Sequence, residues 1–245
     1  LHIAALYGRL LAVKCLLQKG LQATATDNYD RLPLHDACFN AHVDVAGYLL
    51  QQCPNTVNCT TTERFNCQTP LHLATRNGNV DCIELLLQYE ADIEVADSNG
   101  ERPLHIAAEN GHLPAVKYLL ERGARGTETD NEDRLPLHSA CSIEHVDVME
   151  LLLQKFPNTV NSTTTEENGR ETPLHIAARS GRVDCIELLV QYKANIEAVT
   201  TENKTALHIA AYNGRLLAVK YLLEKGACAR AIDDDGCLPL HSACL

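Results

Sequence analysis

The dipeptide Leu-His returns eight times along the 245-residue chain, at Leu1-His2, Leu34-His35, Leu71-His72, Leu104-His105, Leu137-His138, Leu174-His175, Leu207-His208 and Leu240-His241. Successive His residues stand 33, 37, 33, 33, 37, 33 and 33 positions apart. A period of this length constrains the fold before any element is assigned. One such unit is too short to bury its own apolar face, so neighbours must stack on one another.

Each period carries the same internal punctuation. Six anchors have Pro directly before the Leu, where a first helical turn loses nothing by its missing N–H. In Pro103-Leu104-His105-Ile106-Ala107-Ala108, the residues Leu104, Ala107 and Ala108 fall on one helical face, and Gly111 is placed to end that helix left-handed. Val116, Leu119 and Leu120 form the stripe of a second helix that Gly123 stops. The stretch from Ala124 to Arg134 is polar and turn-rich, and reads as a hairpin finger extending sideways.

Composition agrees with thin stacked layers rather than one globular core. Apolar residues make up 45% but aromatics only 4%, with three Phe and no Trp. Ala and Leu must therefore do the packing. The formal net charge of -11 argues against polyanions, since nucleic-acid binding begins with Lys and Arg neutralising phosphates. A basic or mixed protein surface is the natural counterpart. No apolar run approaches the roughly 20 residues that span a bilayer, so direct membrane insertion is not expected. The 11 Cys are odd in number, form no CxxC, and several sit in apolar helical patterns. That usage fits reduced thiols in an intracellular, cytoplasmic protein.

The helix opening Thr172-Pro173-Leu174-His175-Ile176-Ala177-Ala178 and the segment from Leu87 to Glu94 resemble the ankyrin repeat, and the resemblance runs the length of the chain. It implies an all-helical solenoid with short β-hairpin fingers, built of helix–turn–helix–hairpin modules, whose fingers and first helices line a protein-binding groove. The family's turn Gly stands only at Gly100 and Gly236; Asp30, Asp133 and Asn203 replace it, and these tolerate the left-handed region next best. Cys67 and Arg170 break that rule, so a different turn is expected in the two lengthened fingers. Cys38, Cys141 and Cys244 stand where Ala is usual, and are read as small apolar fillers.

A larger period contains the smaller one. Residues 1–103 align with 104–206 without a gap, roughly 60 of the 103 positions are identical, and residues 207–245 begin a third copy. The expected organisation is a single array over 1–245, with seven complete helix pairs and a partial eighth. Neither end reads as a polar cap, and Leu240, Ala243 and Leu245 would lack a second helix to pack on. Continuation of the array in both directions is expected.

The recurring His residues tempt a catalytic or metal reading, but the resemblance implies hydrogen bonds that tie helix to finger. His-x-x-Cys pairs at His35/Cys38, His138/Cys141 and His241/Cys244 offer two zinc ligands where a closed site needs four. Cys53, Cys59 and Cys67 cluster near the first long finger, yet Phe156, Ser162 and Arg170 hold those places in the second copy. No nucleophile–base signature, phosphate loop or HExxH appears. The reading is therefore no enzyme, no metal and no cofactor.

The expected function is a protein-interaction scaffold. Finger turns and first-helix ends, left over by stacking, supply the candidate contacts: Tyr29, Arg31, Phe39, Arg76, Glu101, Glu109, Asn110, Glu132, Arg134, Arg179, Lys204 and Tyr212. Tyr and Arg lead, as they do at interface hot spots. The long fingers add Thr60, Thr61, Thr62 and Phe65, and then Thr163, Thr164, Thr165 and Asn168, in extended-favouring sequence expected to project beyond neighbouring fingers. A structural solenoid acting as spacer, spring or self-associating fibre segment is the alternative.

Overall fold

Helix starts follow the Pro signal. In the computed structural model, which describes residues 1–143 and 145–242, Pro33, Pro70, Pro103, Pro136, Pro173 and Pro239 each open a helix. Leu32, Thr69, Arg102 and Thr172, directly before a Pro, are extended, as the clash with the pyrrolidine ring requires.

Clustering of the backbone gives two units, residues 1–125 and 126–245. The first holds four helix pairs: α1 (His2–Leu6) with α2 (Leu10–Gln18), α3 (Pro33–Phe39) with α4 (Val43–Gln52), α5 (Pro70–Arg76) with α6 (Val80–Gln88), and α7 (Pro103–Glu109) with α8 (Leu113–Glu121). The second holds α9 (Pro136–Ile143) with α10 (Val146–Lys155), α11 (Pro173–Ser180) with α12 (Val183–Gln191), and α13 (Ala206–Tyr212) with α14 (Leu216–Glu224), then α15 (Pro239–Ser242). Within the first unit α1, α3, α5 and α7 pack in one row and α2, α4, α6 and α8 in another. The second repeats this with α9, α11, α13 and α15, and α10, α12 and α14. No strand forms among the described residues; the fingers close on turn hydrogen bonds and on side-chain acceptors such as Asp27, Asp97 and Asp130.

Small residues let the first-row helices approach. Ala37, Ala74, Ala107 and Ala108 are fully buried, and so are Cys38 and Cys141 in the slot where Ala is usual. Cys244 lies outside the described residues, as do Ala243 and Leu245. Leu49, Leu86, Leu119, Leu152 and Leu189 fill the space behind, each at most 1% exposed. Burying such a side chain contributes about 1.5–3 kcal/mol.

Anchoring His residues join helices to fingers. The Leu32 N–H donates to His35 Nδ1 at 2.9 Å, so the ring proton sits on Nε2, which donates to the Cys59 carbonyl at 3.0 Å. His72, His138, His175 and His208 repeat the arrangement. His2 differs: its Nδ1 pairs with Asp36 at 2.7 Å.

Fingers turn left-handed where Asp30, Asp133, Asn203, Gly100 and Gly236 stand, with φ between 56° and 77°. Cys67 and Arg170 stand in a different turn, as expected. They too are left-handed, φ 49° and 52°, and each follows a second left-handed residue, Asn66 or Gly169. The long fingers therefore coil at their tips. Residues Glu63–Phe65 form a single 3-10 turn inside the loop that the Thr61 N–H closes on the Gln68 carbonyl. The Thr62 N–H donates to the Tyr29 carbonyl, and the Asn66 carbonyl accepts from the Ser98 N–H, so the finger is stitched to both neighbours. In the second copy the Thr165 N–H donates to the Glu132 carbonyl and the Thr201 N–H to the Gly169 carbonyl. Coiling satisfies backbone groups that an extended protrusion would leave to solvent.

Candidate protein-binding edge

In each unit, finger tips and the C-terminal ends of first-row helices share one edge. The helix ends carry residues that packing does not consume. Phe39 at the end of α3 is 43% exposed and Tyr212 at the end of α13 is 65% exposed, whereas the residues before them are buried. Glu109, Arg76 and Arg179 occupy the same register and are half-buried, half-buried and exposed.

Two recesses open on this edge. The larger, about 360 Å³, lies in the second unit and is bordered by Arg179, Lys204, Ile209 and Tyr212. Its acidic groups are Glu171, Glu202, Asp233 and Asp235. Glu171 pairs with Arg179 and Glu202 with Lys204, and the Lys204 ammonium is raised above its ordinary pKa chiefly by its hydrogen bond to Glu202. The smaller, about 190 Å³, lies in the first unit between Phe39, Phe65, Leu73 and Arg76.

Several nominated residues make hydrogen bonds within the fold. Thr61 and Thr164 are 5% and 6% exposed. The Thr61 hydroxyl donates to the Phe65 carbonyl and accepts from the Gln68 N–H, and Thr164 does the same for Asn168 and Glu171. Glu101 is buried as well, and its carbonyl receives the His72 Nε2 proton. The Asn110 amide donates back to the Ile106 carbonyl at the end of its own helix. These four hold the fold as well as standing among the contact candidates, because a turn or helix end must satisfy its polar groups before any partner arrives.

Others are held but reachable. Arg31 pairs with Asp27 at 2.8 Å, approaches Asp36 at 3.8 Å and lies over the Tyr29 ring. Hydrogen bonds from the Tyr29 and Arg31 N–H groups, with the Arg31 charge, hold the Asp27 carboxyl below its ordinary pKa against a partial burial that alone would raise it. Arg134 pairs with Asp130 at 2.7 Å and Glu132 at 3.3 Å. Tyr29 packs against Phe65 with ring centroids 4.3 Å apart. Thr60, Thr163 and Asn168 are exposed, and Thr62 and Thr165 are half-buried.

Sequence reasoning missed Leu73, Gln68 and Ile209, which also line the recesses. A signal existed for Gln68: the second copy has Glu171 there, a change in charge directly before the shared Thr-Pro-Leu-His. No three His, Cys, Asp or Glu residues come together as a metal-holding group among the described residues. No described helix is long and apolar enough to cross a membrane.

Family models for ankyrin repeats (3 copies) match residues 1–63, 53–130, 125–200 and 194–245. The crystal structure of the human ASB11 ankyrin repeat domain superimposes with a TM-score of 0.80 at 30% identity, covering 93% of this chain and 97% of that one. Among curated proteins, ankyrin repeat protein nuc-2 of Neurospora crassa is 38% identical over 95 residues, 38% of this chain and 8% of its own. The 26S proteasome non-ATPase regulatory subunit 10 of Dictyostelium discoideum is 37% identical over 86 residues, 35% of this chain and 36% of its own. Each match thus spans little more than a third of these relatives at most.

Proposed function

Because this chain belongs to the ankyrin repeat family, whose repeats are protein–protein interaction modules, we propose that it works as a non-catalytic scaffold that binds other proteins along the edge of finger tips and first-row helix ends. The observation that carries this reading is Tyr212. A large ring 65% exposed beside a recess of about 360 Å³ is a poor use of apolar surface unless something covers it. Phe39, Arg76, Glu109, Arg179 and Lys204, with the exposed finger residues Thr60, Phe65, Thr163 and Asn168, are the other proposed contacts.

The proposed partner is basic or mixed in charge. The net charge of -11 and the exposed Glu202, Asp234 and Asp235 support this choice. Such rim charges act mainly on association rate and are screened beyond about 8 Å at physiological salt. A cytoplasmic setting is part of the same proposal and rests on the thiol-rich, CxxC-free sequence. The alternative, a spacer or self-associating solenoid segment, draws its support from the 103-residue internal duplication.

The test is capture of partners from native lysate, followed by binding kinetics with each purified partner. Tyr212→Ala should weaken binding by roughly tenfold or more, the scale of a lost aromatic anchor. Rising salt should slow association. Partners indifferent to both would count against this edge, and concentration-dependent self-association without partners would favour the structural alternative.

A further inference from the structure

The smaller recess, in the unit formed by residues 1–125, combines three apolar side chains with a spare cation. Phe39 and Phe65 are 43% and 38% exposed, and Leu73 lies between them on the same recess. Arg31 also borders it, but its guanidinium is committed to Asp27 and Asp36. Arg76 is different. Its side chain is half-buried, and among the described residues no carboxylate pairs with it. Gln68, a polar residue on the same recess wall, donates through Nε2 to Asp97.

The second copy of the 103-residue unit acts as an internal control. Arg134, Ile176 and Arg179 stand at the places of Arg31, Leu73 and Arg76, so the frame is the same. The other three places differ: Ser142 replaces Phe39, Asn168 replaces Phe65 and Glu171 replaces Gln68. There Glu171 pairs with Arg179, so the cation is neutralised and the aromatic walls are gone. The fold thus needs neither the two rings nor an unpaired Arg. In the first copy both are retained together, facing one recess of about 190 Å³. That volume falls below the roughly 300–1,000 Å³ typical of cofactor sites and suits a single side chain.

We propose that this recess captures a protein segment carrying an Asp or Glu carboxylate next to a branched or aromatic apolar side chain. The apolar group enters between Phe39, Phe65 and Leu73, and the carboxylate takes the Arg76 guanidinium. Charge complementarity selects the occupant: a guanidinium beside apolar walls favours a carboxylate, with which it forms paired charge-assisted hydrogen bonds, and disfavours a basic segment. The inference rests on the protein-binding reading above and specifies its chemistry at one place. It gives the first unit a preference opposite to that of the acidic recess beside Tyr212.

The probe is a displayed library of random heptapeptides, selected on the full 245-residue chain, with the enriched peptides measured by fluorescence polarisation. The variants come from the second copy, whose fold already accommodates those residues: Phe39→Ser, Phe65→Asn and Gln68→Glu, with Arg76→Gln added. Enriched peptides should pair an acidic residue with Leu, Ile or Phe. Gln68→Glu and Arg76→Gln should each weaken them by roughly tenfold or more. Replacing the peptide carboxylate by its amide should cost the same on the wild type and nothing further on Arg76→Gln. Enrichment of basic or purely apolar peptides, no enrichment, or indifference to both variants overturns the proposal. If the peptides respond to Tyr212→Ala instead, the recess is wrong while the binding edge stands. If neither peptides nor native partners bind any form of the chain, both readings fall.

Discussion

His138 Nε2 donates to the Ser162 carbonyl 3.1 Å away, while the Leu135 N–H occupies the other ring nitrogen at 3.0 Å. Both nitrogens are committed in the neutral tautomer, and the ring is fully buried. A proton on Nδ1 would break the bond from Leu135. Burial pushes the His138 pKa down to about 4, and His35, bonded in the same way to Leu32 and Cys59, is likewise pushed down to about 4. Burial also lowers His72 and His175.

The consequence is acid sensitivity that begins above the carboxylate range. Between pH 6.5 and about 4 the unfolded chain binds protons at these His residues that the folded chain refuses, so stability falls as pH falls through that window. The contribution is fully present above pH 6.5. At pH 5 the loss is ~2 kcal/mol for each of His35 and His138. Urea midpoints compared at neutral pH and pH 5 should drop accordingly; an unchanged midpoint contradicts the assignment.

Glycine at a helix end should matter according to what stacks on it. Gly78 has φ 67°, and a Cβ there would lie 2.5 Å from the His112 ring, whose Nε2 donates to the Arg76 carbonyl. Gly123 has φ 98° and open space around it. Gly123→Ala should cost about 1–2 kcal/mol, the left-handed strain alone. Gly78→Ala should cost clearly more, because the next pair must also shift. Equal losses in denaturant unfolding would show that the stacking contact is unimportant.

Thr61→Val keeps shape but removes the hydroxyl that serves both Phe65 and Gln68. Leaving a buried partner unsatisfied costs about 1–3 kcal/mol. The effect should be local: hydrogen exchange at the Gln68 amide accelerates while amides of α6 stay protected. Unchanged exchange at Gln68 would mean that the loop holds without the hydroxyl.

Thiol reactivity should divide by burial. Cys15 and Cys228 are exposed, whereas Cys38, Cys82, Cys141 and Cys185 are fully buried. A hydrogen bond with Cys82 and burial raise the Cys38 thiol well above its ordinary pKa, and burial does the same for Cys141. Alkylation of native protein should label Cys15 and Cys228 first and spare the buried four until denaturant is added. Mass spectrometry that found a stoichiometric intrachain disulfide would overturn this and the cytoplasmic assignment together.

The repeat itself is legible in the sequence because its signals are local. Pro at a first turn, Gly past a last turn, and apolar residues at i, i+3 and i+4 act within one module, so the helix positions and the left-handed Asp30, Asp133 and Asn203 follow from neighbours along the chain. The finger turns at Cys67 and Arg170 resisted, since their hand is set by carbonyls and N–H groups of adjacent fingers that no short window contains.

The binding edge divides in the same way. Periodicity identified the helix ends, and Phe39 and Tyr212 lie there exposed. It could not say that Thr61, Thr164, Glu101 and Asn110 make hydrogen bonds within the fold, or that among the described residues Arg76 lacks the carboxylate partner that Arg179 has. A sequence period determines which face a side chain takes, because that depends on helical geometry alone. Whether that side chain is spent or spare depends on which distant atoms stacking brings within hydrogen-bond reach, and only the tertiary structure decides that.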